Sequence, residues 1–172
     1  MVLRHLFVAT ATLFAILVAP AAASGLAAPH VSIASIDALS VPDHPYDGNA
    51  DADRAVAVAF ARAHSEHKRV LIDLGGNWCP DCRILAGVME LPEVRTFVEA
   101  HYVVVSVDVG RFNKNLQIPA RFGITDRLEG VPSILIATPD GELVDRGHIA
   151  ALADARTMSP QAIADWLAMW AQ

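Results

Sequence analysis

The apolar residues of the chain follow two spacings, and each spacing predicts one kind of element. After Asp51, a residue type that often begins a helix, Val56, Ala59 and Ala63 recur at helical spacing. Short apolar runs rich in β-branched residues predict strands over residues 70–74, 102–107 and 133–137. Further helices are predicted over residues 80–90, 92–100 and 114–122, and a last helix is predicted to be capped by Ser159, with Pro160 at its first position.

A tight turn is expected at Pro139-Asp140-Gly141, followed by a returning hairpin strand over residues 142–146. The predicted order is then helix, strand, helix, strand, helix, strand, strand, helix. Strands that alternate with helices imply a parallel core, and the hairpin adds an antiparallel edge. The predicted fold class is therefore α/β, with a central mixed sheet flanked by helices on both faces.

The first residues of the chain have the pattern of a secretory signal peptide. Arg4 precedes an apolar run over residues 6–18, Pro20 ends that run, and the small residues 21–23 precede Ser24. We expect cleavage after about Ala23, and an uncleaved membrane anchor is the alternative. Both readings place the rest of the chain outside the cytoplasm. The predicted organisation is a signal peptide (1–23), a lead-in segment that is partly ordered at most (24–49) and one domain (50–172).

Charge and cysteine content narrow the range of functions. The 172 residues carry 13 Lys and Arg against 19 Asp and Glu, a formal net charge of −6. Nucleic-acid binding is not expected, because phosphate recognition requires a basic face. With 2 cysteines, the chain can form neither a disulfide-rich scaffold nor a four-cysteine zinc site.

The two cysteines stand in the sequence Cys79-Pro80-Asp81-Cys82, directly after a predicted strand and at the start of a predicted helix. A helix N-terminus stabilises a thiolate through its free N–H groups and its dipole. The placement therefore favours a redox pair over half of a zinc site or an inert disulfide. We expect Cys79 to be exposed at the helix end and Cys82 to be shielded one turn further on.

The sequence around this pair resembles the thioredoxin superfamily. The resemblance is carried by VLIDLGGNWCPDC at residues 70–82, by GVPS at 130–133 and by PDGEL at 139–143. The chain is most similar to the secreted branch, which includes the C-terminal periplasmic domain of the thiol–disulfide interchange reductases. The resemblance implies a thioredoxin fold.

The resemblance also implies roles for individual residues. Cys79 falls at the position of the nucleophilic thiol and Cys82 at that of the resolving thiol. Asp73 falls at the position of a buried carboxylate that assists proton transfer at the resolving cysteine.

Three more positions correspond to the substrate surface of the family. Pro132 matches a proline with a cis peptide bond that packs against the redox pair. Val131 matches the residue whose backbone pairs with a bound substrate strand, and Trp78 the aromatic residue beside the active site.

The implied function is an extracytoplasmic protein-disulfide reductase. Its partners would be disulfide-containing proteins and a membrane electron donor, and we expect a monomer. The two sulfur atoms are the only redox centre required, so no cofactor or metal is expected. The negative charge of Asp81 and the helix dipole have opposite effects on Cys79, so we expect its pKa to be nearer to about 7 than to about 3.5. A copper-handling protein and a non-catalytic binding or assembly protein of the same fold are the alternatives.

Overall fold

The computed structural model describes residues 26–171, so the predicted signal peptide lies outside the described residues. The α-helices are α1 (Ala52–Glu66), α2 (Pro80–Met89), α3 (Pro92–His101), α4 (Gln117–Ala120) and α5 (Pro160–Met169). The strands are β1 (Arg69–Gly75), β2 (Tyr102–Asp108) and β3 (Ser133–Ala137), and short 3-10 helices cover Ile36–Ala38 and Ala155–Thr157. Over residues 26–171, no helix combines the length and apolar character needed to cross a membrane.

The strands form one mixed sheet in the order β2-β1-β3. The central strand β1 runs parallel to β2, with Val70 opposite Val103, and antiparallel to β3, with Leu71 opposite Ile136. Every residue of β1 after Arg69 is buried. This position explains the continuous apolar run, because a strand covered on both faces needs no alternation of polar residues.

Alternate residues of β1 pack against different helices. Val70 and Ile72 share a hydrophobic cluster with Val56 of α1, whereas Leu71 packs with Leu85 of α2 and Ile163 of α5. Helices therefore cover both faces of the sheet, as predicted. The predicted caps of α1 and α5 are also confirmed, since the side chains of Asp51 and Ser159 each accept a hydrogen bond from a first-turn N–H group.

The predicted hairpin strand at 142–146 is wrong. The chain does turn at Gly141, and Val144 N–H donates to the Ile136 carbonyl at 2.8 Å. Pairing then stops at an isolated bridge between Ala137 and Leu143. The physical reason is Asp145, whose carboxylate accepts the Ile136 N–H at 3.0 Å and takes the place of a backbone acceptor.

The lead-in segment is more ordered than we expected. Val31 is buried in the hydrophobic cluster of Leu71, and Tyr46 is buried in the cluster of Val70. The Arg83 guanidinium donates to the Pro42 carbonyl at 2.9 Å. The expectation of partial order at most is therefore wrong for residues 26–49. The segment lacks periodicity because isolated side chains, rather than one face of an element, make its contacts. The division of the chain at residues 23 and 49 stays a prediction.

Candidate active site

The two thiols lie where β1 leads into α2. Cys79 is the N-cap of α2, its N–H group donates to the Gly76 carbonyl at 3.0 Å, and Pro80 follows at the first helical position. The Cys79 sulfur accepts the Cys82 N–H at 3.3 Å, the contact that an N-cap side chain normally makes. Both cysteines are free thiols. The first turn of the helix therefore directs the backbone N–H groups of Asp81 and Cys82 at the Cys79 sulfur.

A loop from the opposite side of the site covers Cys79. The Val131–Pro132 peptide bond is cis, and the Cys79 thiol donates to the Val131 carbonyl at 3.2 Å. The residue is only 3% exposed, so the expectation that Cys79 is exposed is wrong. A position at the helix end would by itself leave the Cys79 side chain accessible to solvent, but the Val131–Pro132 loop packs over that side chain. The predicted cis-proline is confirmed.

The two thiols have opposite acid–base properties. The hydrogen bond with Cys82 and the Cys82 N–H group lower the pKa of Cys79 from 9.0 to about 7, against the opposing effect of burial. The hydrogen bond with Cys79 and complete burial raise the pKa of Cys82. Cys79 is therefore the thiol that ionises near neutral pH, and Cys82 is held protonated.

The carboxylate between the cysteines is buried and paired. Asp81 is 1% exposed, and Arg156 donates to it from its backbone N–H at 2.9 Å, from Nε at 3.0 Å and from Nη2. The negative charge of Asp81 raises the pKa of Cys79, as the sequence suggested. Sequence reasoning missed Arg156, which lies 75 positions away and whose guanidinium offsets that charge.

Asp73 lies at 1% exposure near the end of β1, which confirms that it is buried. Burial raises its pKa to about 7, and the charge of Cys79 adds to this effect. The Tyr46 hydroxyl lies 2.8 Å from each carboxylate oxygen and opposes the increase. Sequence reasoning also missed Tyr46. Its one sequence signal is a tyrosine, one of 2 in the chain, within an otherwise polar segment.

An exposed group of aromatic and basic side chains adjoins Cys79. Trp78 is 40% exposed, and its indole N–H donates to the Gly110 carbonyl at 2.7 Å. The Arg111 guanidinium lies 4.7 Å from the centre of the Trp78 ring, and Phe112 packs edge-on against that ring at 6.1 Å. Arg127 lies 4.4 Å from the centre of the Phe112 ring. We call Trp78, Arg111, Phe112 and Arg127 the aromatic rim; of these four, the sequence pointed only to Trp78.

The structure thus brings together all six residues that the sequence singled out. Cys79, Cys82 and Asp73 form the buried part of the site, and Trp78, Val131 and Pro132 form its cover and edge. This arrangement provides an ionisable thiol, a second thiol one helical turn away and a carboxylate that titrates near neutral pH. A thiol that ionises near neutral pH and a second thiol within reach are the groups that thiol–disulfide exchange uses.

Comparison with known proteins identifies the family to which the chain belongs. A sequence model described as Thioredoxin-like matches residues 51–139. The crystal structure of a disulphide isomerase from Xylella fastidiosa Temecula1 is 36% identical, with a TM-score of 0.67, over 72% of this chain and 94% of that chain. The chain therefore belongs to the Thioredoxin-like family and has its fold.

Two further solved structures are more distant. The DsbH oxidoreductase is 19% identical over 52% of this chain and 66% of its own, with a TM-score of 0.39. A protein of unknown function from Pseudomonas aeruginosa is 21% identical over 71% of this chain and 85% of its own, with a TM-score of 0.38. No curated protein sequence matches the chain.

Proposed function

We propose that the protein is an extracytoplasmic thiol–disulfide oxidoreductase that reduces disulfides in partner proteins. The observation that carries the proposal is the pair of unlike thiols, in which a Cys79 with a pKa of about 7 lies against a fully buried Cys82. A thiol with a pKa near the ambient pH is both sufficiently ionised and sufficiently nucleophilic for exchange. An inert structural cysteine pair would need neither property.

The reaction proceeds in two exchanges. The Cys79 thiolate attacks one sulfur of the partner disulfide, and the other partner sulfur leaves as a thiolate that takes a proton from water. The Cys82 thiol then loses its proton and attacks the Cys79 sulfur, and the second partner sulfur leaves. The protein ends with a Cys79–Cys82 disulfide and the partner with two thiols, so two electrons and two protons pass to the partner.

The substrate surface consists of the Val131–Pro132 loop and the aromatic rim. An extended partner segment would pair with the backbone of Val131 and bring its disulfide to Cys79. Because the loop covers the Cys79 sulfur, the partner must displace the thiol contact with the Val131 carbonyl. Trp78 offers an exposed apolar surface next to the sulfur.

The predicted signal peptide indicates where the protein acts and what must reduce its disulfide again after each turnover. We place the protein in the periplasm or outside the cell, where a reductase is oxidised with each turnover and must be reduced again. A membrane electron donor would supply those electrons, and we expect the protein to act as a monomer.

Trapping in the native host tests the reaction and identifies partners. Cys82→Ala should accumulate disulfide-linked complexes through Cys79, because the second exchange cannot occur. Cys79→Ser is the matched control and should trap nothing. In vitro, the wild-type protein should accelerate insulin reduction by dithiothreitol, and Cys79→Ser should not. An insulin assay in which both proteins behave alike would contradict the proposal.

Disulfide isomerisation is the second candidate, favoured by the likeness to the Xylella fastidiosa disulphide isomerase. The same Cys79 thiolate would start that reaction, but a partner thiol rather than Cys82 would release it. Reactivation of scrambled ribonuclease separates the two functions. An isomerase should retain most of this activity in Cys82→Ala, whereas a reductase should lose insulin turnover in the same variant.

A further inference from the structure

The hydroxyl of Tyr46 lies close to both groups that must exchange a proton, Asp73 and Cys82. It lies 2.8 Å from both oxygens of Asp73, and Cys82 is close enough to act on it electrostatically. A Cβ atom added to Gly75 would lie 2.3 Å from the Tyr46 hydroxyl oxygen and 2.8 Å from the Cys82 sulfur. Both groups therefore crowd the same small space, and only glycine fits beside them.

The Tyr46 backbone is fixed to the active-site loop. Its N–H group donates to the side-chain oxygen of Asn77, and the Asn77 amide donates back to the Tyr46 carbonyl, both at 2.9 Å. Tyr46 itself is 2% exposed. Asn77 lies two residues before Cys79, so these bonds hold Tyr46, a residue outside all helices and strands, in one position relative to the thiols.

Within residues 26–171 no hydrogen bond joins Asp73 directly to Cys82, whereas Tyr46 interacts with both groups. We propose that Tyr46 positions Asp73 and relays the proton of Cys82 to it when Cys82 attacks the mixed disulfide. This proposal rests on the oxidoreductase function proposed above.

Each proton in the relay has a donor and an acceptor. The Cys82 thiol gives its proton to the Tyr46 oxygen, and the Tyr46 hydroxyl gives its own proton to the Asp73 carboxylate. The Cys82 thiolate forms a bond with the Cys79 sulfur, and the bond between Cys79 and the partner sulfur breaks. The partner leaves as a thiolate, Tyr46 is again neutral, and Asp73 later returns its proton to the partner or to water.

The two transfers must be concerted. Burial and the charge of Asp73 raise the pKa of Tyr46, so a tyrosinate between two acidic groups would be costly. The carboxyl group of Asp73, with a pKa of about 7, can take up and return a proton near neutral pH. The hydrogen bond from Tyr46 lowers the pKa of Asp73, and the charge of Cys79 raises it. The charge of Asp73 in turn raises the pKa of Cys82.

The test compares Tyr46→Phe with Tyr102→Phe. Tyr102 is a matched control because it is equally buried and its hydroxyl donates to the Leu167 carbonyl at 2.6 Å, in α5. The reduced proteins are mixed with oxidised glutathione and quenched with acid. Mass spectrometry then follows the dithiol, the mixed disulfide and the Cys79–Cys82 disulfide, so both exchanges are timed separately.

In Tyr46→Phe, the mixed disulfide should form at the wild-type rate and decay about a hundredfold more slowly or worse. The inflection of the decay rate near pH 7 should move to higher pH, because the hydroxyl no longer lowers the pKa of Asp73. Tyr102→Phe should change neither. A wild-type decay rate and pH profile in Tyr46→Phe would overturn the relay, and so would equal slowing of both exchanges.

A measurement on the wild-type protein covers the case in which Tyr46→Phe does not fold. The decay of the mixed disulfide is timed in mixtures of H2O and D2O. Two protons moving together should give a curved dependence on the deuterium fraction, whereas a linear dependence would exclude the relay. If the wild-type protein forms no mixed disulfide at all, the oxidoreductase function fails instead.

Discussion

Replacing Asp73 by Asn should make the protein more stable at pH 8 and less active. The native protein holds this carboxyl group fully buried, with a pKa of about 7 in place of 3.8. Burial penalises the charged form, and the asparagine amide is never charged. Asn can still accept the Tyr46 hydrogen bond through its own side-chain oxygen, so the packing is preserved.

The size and the sign of the effect follow from linkage. Between about pH 4 and pH 7 the folded state binds a proton at Asp73 that the unfolded state has lost. The stability contributed by that proton is present below pH 4 and is lost as the pH rises to about 7. The change of pKa from 3.8 to about 7 corresponds to about 4 kcal/mol, at about 1.4 kcal/mol per pKa unit. Asp73→Asn should therefore unfold like the wild type at pH 4 and be more stable by up to about 4 kcal/mol at pH 8.

Urea unfolding of the reduced proteins at pH 4 and pH 8 measures the difference. Asp145→Asn is the matched control, since Asp145 is fully buried with a pKa raised to about 6 but does not contact the thiols. Asp145→Asn should be stabilised in the same direction above pH 6 and keep wild-type insulin turnover. Asp73→Asn should lose turnover. An equal effect of Asp73→Asn at pH 4 and pH 8, or a loss of stability at pH 8, would refute the reasoning.

Three other outcomes can be measured at the thiols. Iodoacetamide should modify Cys79 faster than Cys82 because only Cys79 has a lowered pKa, and equal rates would contradict the assignment of the nucleophile. Arg156→Gln removes the guanidinium that pairs with Asp81, so the pH dependence of Cys79 alkylation should shift to higher pH. Arg121→Gln removes an ion pair on the exposed surface and should leave this pH dependence unchanged. Equilibration with glutathione should give a reduction potential below roughly −200 mV, and Asp81→His should raise this potential. A wild-type value of about −120 mV would indicate an oxidant.

The sequence by itself determined the three strands of the sheet and the position of the redox pair. The apolar run of β1 and the β-branched run of β2 were sufficient because short runs of this composition favour strands, and strands that alternate with helices favour a parallel core. The placement of Cys79 and Cys82 was equally local, since the end of β1 and the start of α2 fix it within a few residues. The roles of Asp73, Val131 and Pro132 came from family resemblance, and the structure places all three at the thiols.

Tertiary structure decided what surrounds that pair. Cys79 is covered because a loop more than 50 positions away packs over it, and Asp81 is neutralised by an arginine 75 positions away. Tyr46 reaches Asp73 from a segment that has no regular spacing to reveal it. Side-chain contacts between distant segments leave no periodic trace in the sequence, because a single residue makes each of them. For the same reason the pairing of β3 with residues 142–146 was overestimated: the Asp145 side chain, rather than the backbone, binds the Ile136 N–H group of that edge.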